Sequence, residues 1–542
     1  MNRTILALTV ALASLAPIAG TASETTNEDP LPRVPPGFAV GVYATVGGTP
    51  TSLTFGPDTR TGFGGKRLYV ADAQFGNVVV IDQASAVGDW RLVGSQPQTY
   101  ASGFTQPLGV VAAPDGTLFV ADNEGARPGP FGTRVYGRVW RVKDTNGDGT
   151  GDLKEVVLKD LPNGRHNTNG MAFGPDGMLY VANGNSTDDG IAGGSAEVEP
   201  WSGSVVRVDP SATNVSVADF VEEDALIAEG MRNLFDLTFS PFDPTKLYIP
   251  TNGPDNPEGD DNLYLTDMDD LRQKRDPVTG ELLFDEDGNP IMEPVIDDFG
   301  FPSCLYKGSL EPFQNPGAAV ISRFGPCPVS TVPRPIGSFG LHVSADGLAF
   351  QTTDRWGDDF KNDLFVAEFG NFFGNRVVGH RVVRVELSGD GTTVERTSDF
   401  LSGAAPLDVT FSSLGSAMYV ADFEGAIYWV VKAADVPRVI DVQIQNLQFL
   451  PQALVIPEGT TIRWTNTEGP ALPMNHNVTG RQALRSDGSQ DPGAEINSGP
   501  LLPGDSHSYR FDTPGTWLYT CTINPIHNAA MHGSITVVPA GS

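Results

Sequence analysis

Short apolar runs recur along most of the chain in one order: an alternating run, a turn of the Pro-Asp-Gly kind, and a second run ending in Tyr or Phe, Val, Ala and an acidic or amide residue. Six copies can be traced. They are Ser52–Pro57 with Leu68–Asp72, Pro107–Val110 with Leu118–Asp122, Asn169–Gly177 with Leu179–Asn183, Asn233–Pro241 with Leu247–Asn252, Asp346–Phe350 with Leu364–Glu368, and Pro406–Val409 with Met418–Asp422. Each copy supplies two strands across a turn and leaves chain for two more. Such units bury their faces by radial repetition of four-stranded sheets, so the pattern predicts a six-bladed β-propeller over residues 35–432.

The repeat stops between Lys432 and Arg438. Beyond it, strict alternation predicts strands at Val439–Gln445, Ala453–Ile456, Thr460–Thr465, Ser506–Phe511, Trp517–Cys521 and Ser534–Val538. Pro457-Glu-Gly459, Pro503-Gly504 and Pro514-Gly515 are the turns between them, and the set predicts a β-sandwich over residues 438–538. The expected class is all-β.

Composition agrees, with 39% hydrophobic residues, 62 Gly and 43 Pro. The balance of 35 basic against 66 acidic residues gives a net charge of −31, which repels phosphate backbones and anionic membrane and excludes nucleic acid as a partner. Residues 1–22 read as a signal peptide: Arg3 precedes the apolar run Ile5–Ala16, and Gly20-Thr21-Ala22 offers small residues for cleavage. No later stretch is apolar enough for a membrane span, so the expected location is periplasmic or secreted. That compartment favours a disulfide between Cys304 and Cys327, leaving Cys521 of the three cysteines.

Cys521 has telling neighbours. Cys521, His527 and Met531 follow one strand, and His476 lies in Asn475-His476-Asn477-Val478. Two imidazoles, a thiolate and a thioether suit copper cycling between two oxidation states. This stretch resembles the cupredoxins, the plastocyanin and azurin-like blue-copper domains, whose Greek-key sandwich and single type 1 copper site are thereby implied. The resemblance carries the ligand roles to His476, Cys521, His527 and Met531. Asn524-Pro525 stands where many members have His-Pro, and His532 is a rival to His527. Such a site transfers single electrons, so a donor is required.

In the propeller, His166 lies in Gly164-Arg-His166-Asn-Thr-Asn169-Gly-Met, ahead of a strand and so on a rim loop, where such folds build sites. With Gly230-Met-Arg232-Asn233 and the block from Asp346 to Arg384, this order of segments resembles the glucose/sorbosone dehydrogenase family, whose quinoprotein members bind pyrroloquinoline quinone (PQQ). The resemblance implies His166 as general base, Arg232 and Asn233 in contact with the quinone, and a cofactor contact at Arg381. Two departures accompany it. Gly379-His380-Arg381 replaces Gly-Tyr-Lys, and Ala404-Ala-Pro-Leu-Asp408 lacks the Arg pair of the soluble glucose dehydrogenases.

A further motif, Asp144, Asn146, Asp148, Thr150, Asp152 and Glu155, matches the spacing of a calcium loop between strands, with a plain acidic turn as the alternative. Together these features predict an exported oxidoreductase. Its propeller takes a sugar or other alcohol or aldehyde, through PQQ, and its copper passes electrons to a soluble or membrane-bound acceptor. The alternative is a non-catalytic binding propeller fused to a copper electron carrier.

Overall fold

The computed structural model describes residues 32–538 apart from 58–66, 83–95, 130–131, 188–198, 256–257, 275–280, 286–287, 317–325, 372–377, 470–472 and 483–494. The expected signal peptide at residues 1–22 lies outside the described residues. The protein is all-β, a six-bladed propeller followed by a two-sheet sandwich. No helix among the described residues is long and apolar enough to cross a membrane.

Each predicted repeat forms the two inner strands of a blade. The first blade is Pro50–Phe55, Leu68–Asp72, Asn77–Ile81 and Gln98–Ser102, joined in that order. The fifth is Ala345–Phe350, Leu364–Glu368, Arg381–Leu387 and Val394–Ser402. The Tyr/Phe-Val-Ala runs are second strands, buried on both faces between neighbouring blades, which is why they read as continuous apolar stretches. The last blade borrows its outer strand from the other end of the chain: Phe38–Thr45 pairs antiparallel with Ala426–Lys432, closing the ring.

That closing strand also carries the sandwich. Gly41 of Phe38–Thr45 pairs with Leu454 of Ala453–Pro457, so one nine-stranded sheet runs from the last blade into the second unit. A single apolar core includes Tyr43, Tyr419 and Trp429 of the blade together with Phe449, Leu454 and Ile456 of the sandwich. The second sheet is Gln448–Leu450, Val439–Gln445, Thr460–Asn466 and Ser506–Phe511. Strands fall within two residues of the alternation read from the sequence.

Register fixes which way the sandwich points. Ala453–Pro457 runs antiparallel to Phe38–Thr45, and His532–Val538 runs parallel to Ala453–Pro457. The loop ending at His532 therefore lies on the side where Thr45 meets Ala426, which is also the side of the loops that follow the second strand of each blade. Cys304 and Cys327 are disulfide-bonded.

Candidate functional site

At the sandwich end, Cys521 leaves strand Gly515–Thr520 and the chain re-enters the sheet at His532–Val538. Between them Pro525–Ala530 makes a short helix. Asn524 caps it by accepting from His527 N at 2.9 Å, and Pro525 starts it with its fixed φ. Met531 N returns to His527 O at 2.8 Å, and Thr520 Oγ1 donates to Met531 O at 2.7 Å. The turn thus directs His527 towards Cys521.

His476 arrives from the other side of the sandwich. Its backbone is bridged to Leu501, while Asn466 Nδ2 donates to Met474 O and Leu501 O at 2.8 and 2.9 Å. Cys521 Sγ lies 3.8 Å from His476 Nδ1 and 3.5 Å from His527 Nδ1, and the three donor atoms fall within 4.8 Å of one another. Among the described residues this is the one such cluster of His, Cys, Asp and Glu side chains. Cys521, His476 and Met531 are fully buried and His527 nearly so. Burial, and then His476, pull the His527 imidazole below its ordinary pKa, which keeps it neutral and able to ligate. A buried set of two imidazole nitrogens and one sulfur fits copper by its donor chemistry. His532 begins the next strand and is exposed, outside the cluster, so the geometry favours His527 over its rival.

Two supporting contacts have no sequence signal. Glu468, buried, accepts from His476 Nε2 at 3.1 Å and from Asn446 N at 2.8 Å, so the proton sits on Nε2 and Nδ1 is left to face the sulfur. Asn477 N donates to Cys521 Sγ at 3.4 Å.

On the propeller, the loops before the third, fourth and fifth blades meet around a cavity of about 220 Å³. Arg165, His166, Arg232, Asn233, Asp261 and His342 line it. His166 Nδ1 is hydrogen-bonded to Asn185 Oδ1, which sets the proton on Nδ1 and makes Nε2 the basic nitrogen. His166 and Asn233 meet over Gly184, where a Cβ would lie 2.6 Å from His166 Cβ and 2.8 Å from Asn233 Oδ1. Arg232 is buried and donates through Nη1 to Gly253 O at 2.9 Å. Asp261 accepts from Gly253 N and Ser344 N at 2.6 and 2.7 Å, and its burial raises it to about 7 against the pull of Arg232. His342 and Asp261 were not legible as site residues, because neither sits in a repeat-like segment. Asp255 and Asp261 also line the cavity, and beside them its two guanidiniums and two imidazoles offer donors of the kind that an anionic, oxygen-rich group such as PQQ requires.

Two further sets of predicted residues lie outside both the cavity and the sandwich cluster. Arg381 is absent from this cavity: it stands directly across from Glu368 in the fifth blade, to which it donates at 2.5 Å, and it also reaches Asp399 at 2.8 Å. Cross-strand pairing with a buried carboxylate has claimed the guanidinium. Of the predicted calcium ligands Asp144, Asn146, Asp148, Thr150, Asp152 and Glu155, the four carboxylates form no group of three within 4.8 Å of one another. Asp144 accepts from Gly147 N and Gly149 N, Asp148 from Thr150 N, Asp152 from Thr145 N, and Glu155 is paired with Arg141 at 2.7 Å. These hydrogen bonds hold the loop together.

Comparison with known proteins agrees with both units. The profile of the "Copper binding proteins, plastocyanin/azurin family" matches residues 437–538, and a domain of unknown function matches residues 134–225. Plastocyanin of Scenedesmus fuscus is 33% identical over 91 residues, 17% of this chain and 87% of that protein. Among solved structures, a family AA12 carbohydrate-active enzyme of Trichoderma reesei shares the fold with a TM-score of 0.55 at 16% identity, over 74% of this chain and 97% of that one. The PQQ domain of pyranose dehydrogenase from Coprinopsis cinerea gives a TM-score of 0.52 at 15% identity, over 74% and 97%.

Proposed function

Because the chain belongs, through residues 437–538, to the plastocyanin/azurin family of copper-binding proteins, we propose that it is an exported oxidoreductase with two centres. In this reading the propeller cavity oxidises a sugar or another alcohol or aldehyde with PQQ, and the copper end passes the electrons on singly to a soluble or membrane-bound acceptor. The observation that carries it is the buried set of His476, Cys521 and His527 in the same chain as a cavity holding a tautomer-fixed histidine beside a buried arginine. Both centres open on one side of the molecule. The pyranose dehydrogenase domain with the same propeller fold is a PQQ domain, which supports the choice of cofactor.

The chain's own residues do the following. His166 takes the proton of the substrate hydroxyl at Nε2, while Asn185 holds the ring so that Nε2 stays the acceptor. Arg232, anchored on Gly253 O, presents a fixed positive charge where negative charge builds up. Asn233, seated over Gly184 beside His166, positions the oxygen that both touch. PQQ, when bound, supplies the two-electron acceptor for the hydride. At the other end His476, Cys521, His527 and Met531 would hold a copper ion that changes by one electron, with Glu468 orienting His476.

One observation favours a second reading. With Arg381 committed to Glu368 and Asp399, the cavity lacks a basic contact that the quinoprotein resemblance implies. In that reading the propeller only binds, and the copper end is a carrier. The visible spectrum of the full chain, supplied with copper and PQQ and titrated with aldoses, separates the two. A thiolate-to-copper band that bleaches with a sugar only when PQQ is present supports the dehydrogenase. A band that no sugar bleaches supports the binding propeller.

A further inference from the structure

The cavity carries two basic side chains, Arg165 and His342, that the mechanism above leaves unused. Arg165, Arg232 and His342 come from the loops ahead of three successive blades, and all three line the same space. Such convergence of basic side chains runs against a chain with 35 basic and 66 acidic residues. Between two of them stands one carboxylate. Asp255 Oδ1 is 3.1 Å from His342 Nδ1, and Asp255 Oδ2 is 3.9 Å from Arg165 Nη2, so its two oxygens face two basic side chains.

The two sides of this contact differ in how firmly they are held. His342 keeps φ at +61°, a left-handed backbone that a non-glycine residue adopts only when its surroundings demand it, and its Nε2 lies 3.6 Å from Glu258, itself paired with Lys307 at 2.6 Å. Asp255 is 53% exposed in its side chain and lies in the connection between strands Lys246–Asn252 and Asp261–Asp267, where its backbone is bridged to Glu258 and Gly259 N donates to Pro254 O at 2.9 Å. Arg165, His342 and Asp255 all line the cavity, and the half-exposed Asp255 carboxylate can turn towards water by a side-chain rotation alone. A surface ion pair of this kind contributes little to stability, so its displacement costs little.

We propose that this part of the cavity is a carboxylate-binding subsite, and that Asp255 is its internal occupant, holding between Arg165 and His342 the place that a carboxylate of a bound ligand takes. The exchange is one carboxylate for another and leaves the local charge unchanged. The ligand is an organic carboxylate, and two sources supply that chemistry: the carboxylates of the quinone cofactor, or those of a sugar-acid substrate. The inference rests on the dehydrogenase reading only for the choice of these two probes.

Calorimetric titration of the full-length, copper-loaded chain with PQQ, and separately with gluconate, tests it. Arg165→Met and His342→Gln should each weaken binding of the carboxylate probe about tenfold, the loss of one charge-assisted contact. Asp255→Asn removes the competitor and should strengthen binding several-fold. This rise in affinity is a sign that mere damage to the fold does not produce. An unchanged thermal midpoint identifies the variants that remain folded. If gluconate binds with this pattern and PQQ does not, the subsite stands and the quinone reading falls. If PQQ binds but all three substitutions leave its affinity alone, the quinone reading stands and the subsite falls. Weaker binding in Asp255→Asn, or no binding of either probe to it, overturns the proposal.

Discussion

At the sandwich end, three of the four candidate metal-binding side chains lie within Cys521–Met531, between two neighbouring strands, and only His476 comes from elsewhere. The propeller cavity draws its lining from Arg165 to Asn371, across three blades. A site made from one loop depends on that loop's own hydrogen bonds, here the Asn524 cap and the return from Met531 to Thr520. A site made from several blades depends on how closely those blades approach. The copper end should therefore be broken by single ligand changes and survive distant ones, whereas the cavity should respond to packing far from its lining.

The largest expected effect follows from the compact end. Cys521→Ser removes the sole thiolate, so the intense visible band of the copper-loaded protein should vanish while reduction of a two-electron dye by substrate persists. Loss of dye reduction as well would show that the two ends are not separable. The reverse change is His166→Gln, for which dye reduction should drop by about 10²–10⁴, the usual worth of a general base, with the copper band intact. Equal turnover in the variant would remove His166 from the chemistry.

A packing change sharpens the contrast. At Gly347, on the inner strand of the fifth blade, a Cβ would lie 2.5 Å from Asp408 Cα in the sixth, so Gly347→Ala must push two blades apart. Overpacking of this sort costs about 1–3 kcal/mol. It should lower both the thermal midpoint and dye reduction while leaving copper affinity unchanged, and a loss of copper affinity would contradict the independence of the two ends.

Acidity should act on the propeller. Asp261 and Glu368 are raised to about 7, in each case by burial first, and Asp346 and Asp408 are pushed well up by the same cause. A carboxyl that binds its proton more tightly when folded adds stability below its unfolded pKa and loses it as pH rises through the folded value. The propeller's thermal midpoint, followed by calorimetry, should thus decline from about pH 5 to about pH 8. A steady rise over that interval would mean that these carboxyls are ionised in the folded protein. The smallest effect is expected at Asn524→Ala, where loss of the cap costs about 1 kcal/mol and should weaken copper binding about fivefold, measured by competition with a chelator.

How much of this was legible varies with the range of the contacts. The six repeats, the alternation after Val439 and the spacing of Cys521, His527 and Met531 are local patterns, the strands lie where those patterns put them, and Cys521 and His527 come together with His476. The choice between His527 and His532 was open in the sequence, because both follow Cys521 within one loop. The short helix capped by Asn524 favours His527 by turning it inward and leaving His532 exposed on the next strand. Arg381 shows the same limit: its position in the chain resembles a cofactor contact, while its partner across the sheet is Glu368, and strand pairing is invisible one residue at a time.

The sequence by itself determined the class of each unit, the copper-type donor set of one end and the rim-loop position of His166, since all of these rest on residue types at short separations. Only the tertiary structure decided that Glu468 backs His476, that Asp255 bridges Arg165 and His342, and that both centres open on one side. The reason is physical. These arrangements follow from which strands pair and in what register, and register is set by burial summed over whole sheets rather than by the residues that do the chemistry.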